Sequence, residues 1–358
     1  MATVRPQSLG DLHGQDHLKA QIRLAVDAAK ARCDAVGHVL LTGPAGCGKT
    51  TIAGILAHER GVNFYPVIAT SIKDENDLKE ILASQLNADG YRKDNPEPVN
   101  PEIIKPTIVF IDEILNLKRK VYETLYTVME DGVYWEERKN PWSGRSQKVK
   151  TWVPRFTLVG ATTREGDLEK PFLDRFRYRW KLKRYTVQEC LKFVVDTLTQ
   201  NKIGVDDPAA IFGIAQRARG TARIAIQLTQ QCIDVCIARR LTHLTKAVVD
   251  EFFTLAGIDE KGMTELDRKI LMYLYIANRP IGVKAIAAYV EESTASIENH
   301  YEPYLVSMGY IGRTPRGRAI TEAGVKYLQK AKLVNGVDTR RYFAEDYAEE
   351  AESDGVTV

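Results

Sequence analysis

No apolar stretch in this sequence approaches the roughly 20 residues needed to cross a bilayer, so no membrane partner is expected. The opening residues Met1 to Ser8 lack the apolar core of a secretory leader, and the expected compartment is the cytoplasm. Cysteine is scarce: the five residues are scattered, without paired metal-type spacing. Cys232 and Cys236 could share a helix face, but no second pair or histidine cluster completes a zinc site, so buried thiols are expected. An excess of one charge is also missing, because 50 Lys and Arg against 47 Asp and Glu leave +3. Bulk electrostatics therefore gives no argument for nucleic acid, and any such contact must come from local basic patches. Two exist, Arg138 to Arg155 and Arg313 to Lys332, while Glu345 to Asp354 forms an acidic, low-hydrophobicity tail expected to be unfolded. There is no internal repeat.

The 358 residues suffice for two or three domains with buried cores, and 44% hydrophobic with 27% charged residues is a globular balance. The first half alternates short apolar runs with helical periodicity, the pattern of a parallel sheet covered by helices. The runs are Val39-Leu40-Leu41, Ile108-Val109-Phe110-Ile111 and Phe156-Thr157-Leu158-Val159. Leu18, Ile22, Ala25 and Ala29 keep helical spacing before the first run, and Ile52, Ile55 and Leu56 keep it after. An α/β domain with αβα layers is expected over 1–181, interrupted by a proline-rich surface loop at 87–105. A small helical domain follows over 182–260, with helices at Gln188 to Thr199, Pro208 to Ala218 and Ala222 to Arg239. A winged helix is expected over 261–333, from helices at Leu266 to Ala277, Val283 to Val290 and Ser293 to Met308 and a basic hairpin around Pro315 to Gly317. The tail occupies 334–358.

Gly43-Pro44-Ala45-Gly46-Cys47-Gly48-Lys49-Thr50 matches G-x-x-x-x-G-K-[ST] between a strand pattern and a helical one, the context this phosphate loop requires. Backbone N–H groups from Gly43, Pro44's neighbours, Gly46, Cys47, Gly48 and on to Thr51 can close around phosphate oxygens. Lys49 adds charge at the β/γ-phosphates, and the Thr50 hydroxyl can hold Mg²⁺. Asp112 and Glu113 end a buried strand, where open α/β sheets present ligands. Asp112 would hold the metal and Glu113 would polarise the attacking water, so ATP and Mg²⁺ are the expected cofactors. Thr163, at the end of the next strand, is either a sensor of the γ-phosphate or a turn cap. Arg175 in Asp174-Arg175-Phe176 is a candidate arginine finger, and Arg223 a candidate second sensor. From the residues alone, a surface ion pair is the favoured reading of each arginine.

At this point the chain resembles the RuvB family, AAA+ motors of Holliday junction branch migration. The resemblance runs from Gly14-Gln15 through the phosphate loop, Phe110-Ile111-Asp112-Glu113-Ile114, Met129-Glu130-Asp131, Gly160-Ala161-Thr162-Thr163-Arg164 and Asp174-Arg175-Phe176. It continues through Arg219-Gly220-Thr221 and Arg223-Ile224-Ala225 to Tyr301-Glu302-Pro303-Tyr304-Leu305 and Arg313-Thr314-Pro315-Arg316-Gly317-Arg318, covering nearly everything before the tail. It implies an AAA+ P-loop domain, a helical lid and a winged helix, in a ring of six with Arg175 acting on the neighbouring subunit. It also implies that Tyr185 lies against adenine and that Arg313, Arg316 and Arg318 on the wing touch duplex or branched DNA. A hairpin at 133–154 would dock the junction-binding partner RuvA.

Several positions depart from the family pattern. Ala45 and Cys47 stand within the phosphate loop without removing a backbone donor, and Leu115-Asn116 replaces a His-Arg pair. Arg177 stands for a glycine, Ala222 for a proline, and the loop at 87–105 has no clear counterpart. The hairpin, with Trp135, Arg138, Lys139, Trp142, Arg145, Lys148, Lys150 and Trp152, is more basic and aromatic than an apolar docking version. Trp and Arg suit both protein interfaces and nucleic acid. The leading expectation is an ATP-dependent DNA translocase driving branch migration in recombination and repair. The alternatives are an AAA+ ATPase that remodels or loads a protein partner on DNA, and a DNA-binding module in which nucleotide switches assembly.

Overall fold

The computed structural model describes residues 6–86, 107–139, 146–153 and 155–333. The loop at 87–105, the hairpin turn with Trp142 and Arg145, and the acidic tail lie outside the described residues. The chain divides into two compact units, Met1–Gln200 with Gly220–Gln227, and Asn201–Arg219 with Leu228–Val358.

In the first unit, α1 (Asp16–Ala31) precedes β1 (Val39–Thr42), and α2 (Lys49–Arg60) follows it. Then come β2 (Phe64–Ile68), α3 (Glu75–Leu86), β3 (Thr107–Asp112), α4 (Arg119–Asp131), β4 (Val133–Lys139), β5 (Ser146–Trp152), β6 (Phe156–Thr162), α5 (Lys170–Leu173), β7 (Tyr178–Lys181) and α6 (Val187–Gln200). Five strands form one parallel sheet in the order β2-β3-β6-β1-β7. β1 and β6 are buried along their whole length, which is why both read as continuous apolar runs rather than alternating ones. Leu18, Ile22, Ala25, Val26 and Ala29 form the inward stripe of α1, and Val121, Leu125 and Val128 that of α4. Each such Leu, Ile or Val contributes about 1.5–3 kcal/mol by leaving water.

Both sheet edges escaped the sequence runs. β2 carries Pro66 and is only half-buried, as edge strands tolerate. The Asn63 carbonyl accepts a hydrogen bond from the Ile108 N–H, so by alternation Tyr65 and Val67 turn their peptide groups toward β3 and Pro66 turns outward. β7 alternates exposed charge with Trp180, which is buried. β4 and β5 make a separate antiparallel hairpin, Val133 opposite Trp152 and Lys139 opposite Ser146.

The second unit holds α7 (Pro208–Arg217), most of α8 (Ala222–Ala238) and α9 (Lys246–Leu255), with a two-residue parallel pair, β8 (Gly204–Val205) and β9 (His243–Leu244). That pair is a small exception to an otherwise helical segment. Then come α10 (Glu265–Ala277), started by a reciprocal capping box between Thr264 and Asp267, and α11 (Val283–Tyr289). The segment read as a single helix from Ser293 is instead α12 (Thr294–Ser296), a π-helical turn (Ile297–Tyr301) and α13 (Glu302–Ser307). Pro303 has no N–H to continue the α pattern, and the helix widens there. β10 (Ile311–Thr314) and β11 (Gly317–Ile320) form the wing, and α14 (Glu322–Lys330) closes the core around Leu271, Leu274, Ile286, Leu305 and Leu328. No described helix is long and apolar enough to cross a membrane.

Candidate nucleotide site and wing

Three neighbouring strands, β3-β6-β1, end on the same edge of the sheet because all run parallel. Residues 43–50 follow β1, Asp112 and Glu113 end β3, and Thr163 follows β6, so topology brings these sequence-distant residues to one rim. Gly43, Gly46 and Gly48 hold φ of 135°, 76° and 96°, left-handed values that suit glycine. A Cβ on Gly43 would stand 2.5 Å from the Leu182 carbonyl oxygen, so the loop's path also demands its glycine for space.

α2 starts at Lys49 with Gly48 as its N-cap, which has no side chain to satisfy the first-turn N–H groups. Those donors and the helix dipole favour an anion at this point. Lys49 is buried, and its Nζ donates to the carbonyls of Gly43 (2.8 Å) and Pro44 (3.2 Å). Burial pulls the Lys49 ammonium below its ordinary pKa, while the carboxylates of Glu113 and Asp112 oppose that shift. Thr50 and Thr51 are half-buried on the first turn. Glu113 takes the left-handed conformation, φ 51°, and its N–H donates to Asp112 Oδ1 at 3.0 Å. A non-glycine residue there is a local strain that turns the chain sharply out of β3. Thr163 is exposed at the strand end, while the neighbouring Thr162 is buried and its hydroxyl accepts the Arg164 N–H at 3.1 Å.

The far wall of the loop comes from later in the chain. Tyr185 is buried, its hydroxyl donates to the Cys47 carbonyl at 2.9 Å, and its ring meets Phe193 edge-on at 4.9 Å. Burial pushes the Tyr185 phenol well above its ordinary range. The Ala222 and Arg223 N–H groups both point at the Gly46 carbonyl, at 3.1 and 3.4 Å, so Arg223 stands directly on the phosphate loop. Gln15 is a component that sequence reasoning quoted without a role. It is 4% exposed, its amide donates to the Lys183 carbonyl at 2.7 Å and accepts the Lys183 N–H at 3.1 Å, fixing the segment that carries Tyr185. Buried Cys47 carries a thiol whose pKa burial raises.

Arg175 is not brought to this loop within its own chain. It follows Asp174, the C-cap of α5, and that helix is anchored by Phe172 edge-on to Tyr122 at 4.8 Å and to Phe176 at 5.0 Å. The Arg175 guanidinium donates to Glu130 and to the Pro171 carbonyl, both at 2.6 Å, and lies 4.7 Å from the centre of the Tyr126 ring. Glu130, which the sequence offered within Met129-Glu130-Asp131 but without a role, is thus the partner of Arg175, 45 residues away.

On the wing, Thr314-Pro315-Arg316-Gly317 makes the turn between β10 and β11 with Pro at the second position, where its fixed φ fits. Gly317 has φ 138°, and a Cβ there would lie 2.4 Å from the Ile281 carbonyl oxygen. Arg316 is exposed at the tip. Arg313 and Arg318 face each other across the strands and share the carboxylate of Glu302, which is 1% exposed. On the separate β4–β5 hairpin, Trp135 is 51% exposed opposite Lys150, whose ammonium lies 4.5 Å from the centre of the Trp152 ring.

Residues 4–94 and 98–182 match the family model of the Holliday junction DNA helicase RuvB P-loop domain, and residues 260–329 match the RuvB C-terminal winged helix domain. The Holliday junction branch migration complex subunit RuvB of Fervidobacterium nodosum is 37% identical over 340 residues, 94% of this chain and 91% of that protein. The same subunit of Microcystis aeruginosa is 37% identical over 330 residues, 91% of this chain and 86% of that protein. Among solved structures, the Thermotoga maritima RuvB Holliday junction branch migration motor superposes with a TM-score of 0.76 at 34% identity, covering 91% of this chain and 98% of that one. With both family models matched in order on a fold that agrees with that motor, this chain belongs to the RuvB family.

Proposed function

We propose that this chain is an ATP-hydrolysing DNA motor that drives branch migration of Holliday junctions. The observation that carries the reading is the joining, in one RuvB-family chain, of a phosphate loop after β1 and an acidic pair at the end of β3, on the same rim of one parallel sheet with β6 between them, with a winged helix. The matched relatives favour it over a factor that remodels a protein partner.

The residues fit a nucleoside triphosphate with magnesium: three positive-φ glycines, a helix N-terminus without a side-chain cap, and a buried lysine beside two carboxylates. Lys49 meets the β/γ-phosphates, backbone donors from Gly43 to Thr51 cradle them, and Tyr185 borders the adenine. Thr50 and Asp112 would hold Mg²⁺, which supplies neutralising charge at the phosphates. Glu113 orients the attacking water and accepts its proton as the oxygen bonds to the γ-phosphorus and the bond to the β,γ-bridging oxygen breaks, releasing ADP. Thr163 and Arg223 sense the γ-phosphate from the same chain. Arg175 reaches the site of the next subunit in a ring of six.

The domain plan behind this motor is an ATPase domain at 1–181, a helical lid at 182–260, a winged helix at 261–333 and an acidic tail at 334–358. The wing grips phosphates without reading sequence, which suits a motor that must travel over any duplex. A RuvA-like junction-binding protein engages the 133–154 hairpin, where Trp135 offers an exposed aromatic anchor. The machine works in the cytoplasm.

The test is phosphate release with and without a four-way junction, together with resolution of a labelled junction into arms, first alone and then with a RuvA-type protein. Stimulated turnover and separated arms are expected. Absence of ATP turnover in magnesium with every DNA supplied would end the motor reading.

A further inference from the structure

The sequence offers Arg313, Arg316 and Arg318 as equivalent contacts, but the fold gives them unequal freedom. Glu302, 1% exposed, accepts hydrogen bonds from Arg318 Nε (3.2 Å to each carboxylate oxygen) and Nη2 (3.0 Å), and from Arg313 Nε. Arg318 Nη2 also donates to Glu298 at 3.0 Å, and its side chain is only 19% exposed. Its backbone is held as well, because Arg318 and Ile281 exchange N–H to carbonyl bonds of 2.8 Å in both directions. The Arg313 side chain is 62% exposed and bonded to Glu302 through Nε, leaving the end of its guanidinium turned outward. Arg316 is exposed at the turn, with no hydrogen bond or ion pair among the described residues.

Two cations directly across a strand pair repel, and the buried carboxylate of Glu302 offsets that repulsion. A carboxylate removed from water in this way holds its partners firmly, since losing one leaves a charge uncompensated. Arg318 meets it with two nitrogens at once, a fork geometry that lysine cannot reproduce. The Tyr301-Glu302-Pro303 and Arg313 to Arg318 segments, which read as separate motifs, therefore meet: the helix segment supplies the counter-charge that both wing arginines share.

We propose that the wing divides its arginines, Arg316 and the outward end of Arg313 neutralising DNA phosphates while Arg318 and Glu302 form a positioning pair that holds the hairpin on the helix segment before it. This rests on the reading that the wing meets DNA. Salt dependence separates the two roles, because each phosphate neutralised on duplex DNA contributes about 0.9 to the slope of log affinity against log salt, whereas a positioning residue changes affinity alone.

The experiment measures fluorescence anisotropy of a labelled duplex with the full chain, from about 50 to 200 mM salt. Arg316→Ala and Arg313→Ala should each make the slope shallower by about 0.9. Arg318→Ala and Arg318→Lys should both weaken binding by a constant factor at every salt concentration, with the slope unchanged. If Arg318→Ala flattens the slope as Arg316→Ala does and Arg318→Lys restores it, Arg318 is a phosphate contact and the division is overturned. If Arg316→Ala leaves the slope intact, the wing does not meet DNA and both readings fall. Should Arg318→Ala unfold the unit, the charge-neutral pair Glu302→Gln with Arg318→Gln takes its place, with the same parallel offset expected.

Discussion

Arg175→Ala removes a guanidinium held by Glu130, the Pro171 carbonyl and the face of Tyr126, and the structure separates what that does to stability from what it does to turnover. The Glu130 side chain is 63% exposed and that of Arg175 26%, so the pair is screened by water. Its loss should lower stability by about 0.2–1 kcal/mol, the range of exposed pairs. An arginine finger, by contrast, is worth roughly 10³ to 10⁵ in rate. That is about 4 to 7 kcal/mol of barrier. The variant should therefore melt within a few degrees of the parent and bind nucleotide almost as well, yet release phosphate at least about a thousandfold more slowly. Mixing Arg175→Ala with Glu113→Gln subunits should recover part of the activity, because one supplies the carboxylate and the other the finger. The assay is steady-state phosphate release across a titration of the two variants. Arg175→Ala turnover within about tenfold of the parent would refute the finger role, since even the weaker fingers exceed that; a purely additive mixture would refute action between subunits.

Gly317→Ala should destabilise the wing by roughly 1–3 kcal/mol, because the new Cβ meets the Ile281 carbonyl in a left-handed backbone. Hydrogen exchange at Ile281 and Arg318 should rise while DNA-free ATPase holds, and unchanged exchange would contradict the clash. Tyr185→Phe removes the bond to the Cys47 carbonyl, worth about 0.5–1.5 kcal/mol; weaker nucleotide binding should appear in calorimetry, and equal affinity would free the loop of that tether. His38 accepts the Leu158 N–H on Nδ1 at 2.9 Å, and burial depresses its pKa to about 4. The folded state thus binds fewer protons than the unfolded one, and stability should fall as pH drops from about 6.5 toward 4, at up to about 1.4 kcal/mol per pH unit. Denaturant titrations of His38→Gln should lose that slope, and a slope that persisted would place the titration elsewhere.

What the sequence made legible was local. The phosphate loop could be read because glycine chemistry, the lysine and the strand-loop-helix order lie within a dozen residues, and β3 because its run is apolar on both faces. β2 was hidden by Pro66 and half-exposure, and β7 by alternation over only four residues. The π turn before Pro303 had no signal in a helical periodicity that tolerates one extra residue. Partnerships between side chains were the least legible. Gln15 with Lys183, Glu130 with Arg175 and Glu302 with Arg318 join residues 168, 45 and 16 positions apart, and only the packed elements decide which charge or amide meets which.

Pro66 has a consequence for self-association. Its missing donor falls on the outer flank of β2, so a second copy laid alongside would find a gap in the row of groups needed to template another strand. Strand-to-strand pairing between copies is thereby disfavoured along that flank.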